Sequence, residues 1–117
     1  MAVTQVYCRT RFIGFHRWPD APNDVFYLRD FHRHEFHVEL CVEVAHADRA
    51  VEFITLRRQL DHFIKTRHLG DPHDPTETAR SCEMFAEIIV SYFQKLEYKV
   101  VHVDVSEDGE NGARYIP

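Results

Sequence analysis

The hydrophobic period of this chain changes twice, and those changes limit its fold more than any single motif does. In FHRHEFHVELCVEV, residues 31–44, the apolar Phe36, Val38, Leu40, Val42 and Val44 alternate with His37, Glu39, Cys41 and Glu43. That is the period of a half-buried β-strand. From Glu52 the pattern switches: Phe53, Leu56, Leu60, Phe63 and Ile64 recur at spacings of three and four, the stripe of an amphipathic helix. Residues 98–105, YKVVHVDV, return to alternation.

The remaining elements follow from local signals. Residues 3–16 read as a first strand, with Val6, Cys8, Thr10 and Phe12 opposite Tyr7, Arg9, Arg11 and Ile13. RWPDAPND carries two prolines and two aspartates and predicts a loop. The first helix ends before RHLGDPHD, where Gly70, Pro72 and Pro75 break it. A second helix has two candidate starts: Asp74-Pro75-Thr76-Glu77, an acidic cap with proline in the first turn, and Ser81. Its buried stripe is Phe85, Ile88, Ile89, Tyr92, Phe93 and Leu96. SEDGENG predicts a turn and ARYI a short closing strand. The order strand-strand-helix-helix-strand-strand argues an α+β fold, an antiparallel sheet with both helices on one face. Four strands leave two open edges, which pairing between subunits removes, so a homo-oligomer is expected.

The bulk numbers exclude several classes. A chain of 117 residues, 44% hydrophobic and 28% charged, predicts one folded domain spanning 1–117. A net charge of −5 gives no reason to expect nucleic acid or an anionic membrane as partner. No apolar run approaches the roughly 20 residues that span a bilayer. Three cysteines without a CxxC pair predict a reducing, cytoplasmic setting.

Histidine is the unusual entry in the composition, with nine residues. His32 and His34 share a strand face with the apolar row, because side chains at i and i+2 point the same way. His16, at the end of the first strand, is placed to join them if the two strands form a hairpin. Catalytic zinc is typically held by three protein ligands with a fourth position open, so the trio makes a zinc site a concrete expectation. The plainer reading is a histidine-rich chain with imidazoles exposed at strand ends.

Five segments in order resemble the 6-pyruvoyltetrahydropterin synthase / 6-carboxytetrahydropterin synthase family, over nearly the whole chain. FIGFHR resembles the family's first-strand segment ending in a ligand histidine, and HRHEFHV resembles His-Gly-His-Asn-Tyr-x-Val, with Arg33 in place of glycine. RAVEFITLRRQLDHF resembles Gly-Met-Val-x-Asp-Phe-x-x-Leu followed by Leu-Asp-His, with Glu52 in place of aspartate. SCEMFAEII resembles Thr-x-Glu-Asn-x-Ala, and VDVSEDGENGARY resembles the terminal Val-x-Val-x-Glu-Thr stretch.

The resemblance implies the tunnelling fold (T-fold), β-β-α-α-β-β, whose subunits join their sheets into a barrel as a hexamer or other ring-stacked homo-oligomer. It implies a carbon-oxygen lyase that converts 7,8-dihydroneopterin triphosphate to a 6-carboxy- or 6-pyruvoyl-type tetrahydropterin, in a queuosine-type or related pathway. It also implies zinc on His16, His32 and His34, a pterin-anchoring Glu107, and an Asp61–His62 relay, with Glu83 and Cys82 assisting at the substrate. Without it, Glu107 reads as a solvated turn charge, and Asp61 and His62 as exposed helix positions. The family's cysteine, a few residues before His-x-His, is missing: Val25 to Asp30 offer neither cysteine nor glutamate. Proton abstraction needs a base in contact with the substrate. Asp30, with the strand parity of His32 and His34, is the expected replacement; Asp24 and Cys82 are others. The alternative is a member of the fold that binds zinc and a pterin or purine without the synthase reaction.

Overall fold

The computed structural model describes residues 2–117. β1 (Thr4–His16) and β2 (His32–Val44) form a long antiparallel hairpin, joined by a loop that closes with a 3-10 turn over Asn23–Arg29. Helix α1 (Phe53–Thr66), the single-turn helix α2 (Pro75–Thr78) and helix α3 (Cys82–Lys95) follow. β3 (Lys99–Glu107) and β4 (Asn111–Tyr115) complete a four-stranded antiparallel sheet in the order β1-β2-β3-β4. No helix among the described residues is long and apolar enough to cross a membrane.

Each boundary has a local cause. Glu52 caps α1, its carboxylate accepting from the backbone N–H groups of Ile54 and Thr55 at 3.0 and 2.7 Å. Both candidate starts for the second helix operate. Asp74 caps α2, accepting from Thr76 N–H at 2.9 Å, and Ser81 caps α3, accepting from Met84 N–H at 3.2 Å. Two short signals in one stretch gave two helices rather than one.

The core lies between one sheet face and the helices. Phe36, Val38, Leu40 and Val42 of β2 meet Leu56 and Leu60 of α1 and Phe85, Ile89 and Phe93 of α3, all at most 1% exposed. At one end of this core Phe12, Phe36 and Phe85 pack ring to ring, with centroids 5.2–5.7 Å apart.

The last hairpin departs from its expected bounds, with consequences for the site. Strand pairing continues to Glu107↔Asn111, so the turn is only Asp108–Glu110. Asp108 and Gly109 both have positive φ, 56° and 73°, the Asp-Gly signature of a tight hairpin. A bulge opposite Cys41/Val42 lets Val100 and Val103 both face the core. This resets the alternation so that Val103, Val105 and Glu107 share the inner face. Glu107 is therefore the last inward residue of a strand, not a turn charge.

Candidate metal centre

The hairpin register places the histidines. His16 pairs directly with His32, and Gly14 with His34. The three rings sit at the end of the sheet's inner face, above the phenylalanine cluster. Their centroids are 4.4 Å (His16–His32), 5.3 Å (His16–His34) and 4.9 Å (His32–His34) apart. Their ligand nitrogens all lie within 4.8 Å of one another. Gly14, opposite His34, makes room for the Phe36 ring beneath the trio, since a Cβ there would stand 2.9 Å from that ring.

Hydrogen bonds at the outer nitrogens fix the tautomers. His16 Nδ1 is 3.0 Å from the Arg80 carbonyl oxygen, His32 Nδ1 is 2.8 Å from the Asp30 carbonyl oxygen, and His34 Nδ1 is 2.7 Å from Asp108 Oδ2. Carbonyl and carboxylate oxygens only accept, so each Nδ1 carries the proton and each neutral ring keeps its lone pair on Nε2. Burial lowers the His16 pKa below the ordinary imidazole value, and the Arg80 bond offsets this only in part.

The inner nitrogens want a cation. The Nε2 atoms of His16 and His34 are buried without a hydrogen bond. Glu107 nevertheless brings Oε2 to 2.9 Å from His34 Nε2 and Oε1 to 3.6 Å from His16 Nε2. A lone pair facing a carboxylate is repulsive unless a proton or a metal ion lies between them. Three imidazoles with their outer nitrogens held by acceptors and their ligand nitrogens gathered within 4.8 Å are a donor set that zinc takes. The residues fit the metal on that observation.

The other expected site residues divide. Cys82 is buried, with Sγ 3.9 Å from Glu107 Oε1. Burial, with the nearby Glu107 and Glu83 carboxylates, pushes its thiol up to about 12, so it is a protonated donor and not a thiolate base. Glu83 lines the cavity beside the histidines, together with Trp18, Arg80 and Met84; the cavity holds about 560 Å³. The carboxylate of Asp30 does not join: the residue is exposed, and only its backbone oxygen reaches His32. Asp24 is exposed in the 3-10 turn. Asp61 and His62 lie elsewhere in the chain's own fold. Asp61 accepts from Thr10 and pairs with Arg57 at 3.7 Å, in a groove along β1 that also contains Arg11, Lys65 and His68. His62 is exposed on α1. His37, which faces Glu35 at 3.0 Å on the opposite sheet face, is not part of the cluster.

Two contributors escaped the sequence reading. Asp108 and the Arg80 carbonyl hold His34 and His16, and both meet their histidines across long sequence separations. Their only sequence signal was an acidic residue beside Glu107 and a polar residue before a helix cap.

No family model matches the chain, and no curated protein matches it. Among solved structures it is similar to the crystal structure of an uncharacterized protein from Wolinella succinogenes, with a TM-score of 0.69. The two are 15% identical, and the similarity covers 99% of each chain. At that identity the likeness speaks for the fold alone: an α+β chain built on a four-stranded antiparallel sheet.

Proposed function

We propose that this chain is a zinc-dependent pterin lyase of the 6-pyruvoyltetrahydropterin synthase / 6-carboxytetrahydropterin synthase type, acting on 7,8-dihydroneopterin triphosphate. The observation that carries the reading is the convergence of three Nδ1-protonated imidazoles on one point, with two buried Nε2 atoms unsatisfied. His16, His32 and His34 would hold the metal. Bound there, zinc supplies Lewis-acid polarisation of the substrate's side-chain oxygens.

The chain's own residues supply the rest. Glu107, at the inner end of β3, offers two carboxylate oxygens, the pattern that accepts paired N–H groups from an aminopyrimidine edge. A metal held on the histidine nitrogens would take up the lone pairs that face Glu107. Cys82, as a thiol, donates to Glu107 and keeps it oriented. Trp18 and Met84, both about half exposed, give the cavity part of its apolar lining. In this reading the fold is the tunnelling fold, and subunits join through the sheet edges at β1 and β4. Asp61 and His62 then act across a subunit seam, since α1 carries them away from the histidines of their own chain.

The second reading, a zinc- and pterin-binding protein without the lyase step, is favoured by one observation. Neither Asp30 nor Cys82 presents a free base to the cluster. One experiment separates the two. Zinc-loaded protein is incubated with 7,8-dihydroneopterin triphosphate while triphosphate release and side-chain mass are followed. Zinc-dependent turnover is the expected result; binding with the substrate recovered intact selects the second reading, and neither binding nor turnover rejects both.

A further inference from the structure

Asp108 stands where the resembling family carries threonine, and no expectation from the sequence gave it a role. The tight turn accounts for its backbone, because aspartate tolerates a φ of 56° better than most residues. It does not account for the side chain. Rather than folding back on its own turn, the carboxylate crosses to β2. Oδ1 accepts the Glu35 N–H at 2.9 Å, while the Asp108 N–H is donated to the Glu35 carbonyl at 2.7 Å. This two-way clasp extends the β2–β3 ladder one step beyond Phe36↔Glu107. Oδ2 is not needed for the clasp, yet it sits 2.7 Å from His34 Nδ1.

We infer that Asp108 is a positioning carboxylate of the metal centre, holding His34 in the tautomer and ring orientation that point its Nε2 lone pair at the ion. The inference rests on the metal reading given above. A carboxylate on the outer nitrogen of a ligand histidine fixes the ring and raises its basicity, and loss of such a partner typically costs 10–100-fold in metal affinity. His16 and His32 lean on neutral carbonyls; His34 alone leans on a charge. The end of β3 and the first residue of its turn thus flank both sides of His34, with Glu107 facing Nε2 and Asp108 at Nδ1.

The test compares wild type with Asp108→Ala and Asp108→Asn. Zinc affinity is measured by competition with a chromophoric chelator. The visible spectrum of the cobalt(II) form and the imidazole tautomers of metal-free protein, from nitrogen NMR, are recorded alongside. Asparagine offers one carbonyl oxygen to two N–H donors, so it keeps the clasp only by turning a donor on His34. Expected are one zinc per wild-type chain, a roughly 10–100-fold loss in both variants, and an altered cobalt spectrum. A shift of the His34 proton toward Nε2 is expected in Asp108→Asn. Variants with wild-type affinity and spectrum overturn the inference and leave the metal reading intact. A loss of affinity that only tracks a lower melting temperature of the metal-free variants, with tautomer and spectrum unchanged, makes Asp108 a turn residue and also overturns it. Wild type that binds no zinc rejects the metal reading itself.

Discussion

His16 donates from Nδ1 to the carbonyl oxygen of Arg80 at 3.0 Å, across 64 positions of sequence. That bond ties the end of β1 to the segment before α3. The segment is fixed in turn by a buried carboxylate: Glu77, 4% exposed, accepts from Arg80 Nε at 2.8 Å and from Gly70 N–H at 3.4 Å. Two backbone bonds, Phe15 N–H to Gly70 O and Arg17 N–H to Thr78 O, dock the same segment on β1. A ligand histidine is thus held by a loop that one buried ion pair shapes.

Glu77→Ala removes that pair and leaves Arg80 without its partner in a largely buried place. The expected cost is about 3 kcal/mol of stability, in the range for breaking a buried ion pair. Chemical denaturation measures it. Because Arg80 positions His16, zinc affinity falls as well, which a variant at a remote core position of equal cost would not show.

Metal itself should stabilise the fold. A ligand bound to the native state alone adds about 2.7 kcal/mol at a free concentration 100 times its Kd. Thermal unfolding with zinc and with a chelator is expected to differ accordingly in wild type. His32→Ala, which removes one of the converging nitrogens, abolishes the difference while leaving the chelated melting temperature near that of wild type, since His32 lies outside the core cluster. Asp30→Asn retains the full zinc increment, because only the backbone oxygen of residue 30 reaches His32.

The strands, the helices and the histidine trio were legible because each rests on short-range pattern. Alternation placed His32 and His34 on one face, and an antiparallel hairpin between two 13-residue strands brought His16, at the end of the first, beside them. Read without the resemblance, Glu107 fell in a turn because the turn signal around Asp108-Gly109 looked longer than the turn it makes. Asp30 failed for a different reason. Strand parity fixes a side-chain direction only inside a strand, and β2 begins at His32. The second-layer partners Asp108 and Arg80 depend on where the last hairpin and the 67–81 segment dock, which no local period encodes.

The outer sheet face gives a pH prediction. Arg114 donates to Asp104 through Nε and a terminal nitrogen at 2.7 and 2.9 Å, and this pairing lowers the Asp104 pKa against the opposing effect of partial burial. A carboxyl whose folded pKa lies below its unfolded value contributes stability that is complete above the unfolded pKa of about 3.9 and is lost as pH falls through the folded pKa. Stability should therefore decline below about pH 4, by a fraction of a kcal/mol from this group after allowance for solvent around the exposed arginine. Asp104→Asn flattens that part of the acid limb of a denaturation-versus-pH curve. An unchanged slope would show that the pair does not hold in solution.

Phe36 joins the core to the metal site. It is fully buried, packs against Phe12 and Phe85, and meets the rings of His16 and His34 in T-shaped contacts at centroid distances of 5.2 and 5.8 Å. Phe36→Ala deletes the ring under both histidines and should cost about 3–5 kcal/mol, the range for a large buried aromatic replaced by alanine. Phe36→Leu keeps most of the apolar volume and should cost about 1–2 kcal/mol. The informative quantity is the zinc affinity of the leucine variant at a temperature where it is fully folded. Leucine is not planar, so the imidazoles lose the flat surface that sets their tilt. A fall in affinity with the fold intact would show that the aromatic cluster orients the ligands; unchanged affinity would leave orientation to the outer hydrogen bonds on Nδ1 alone.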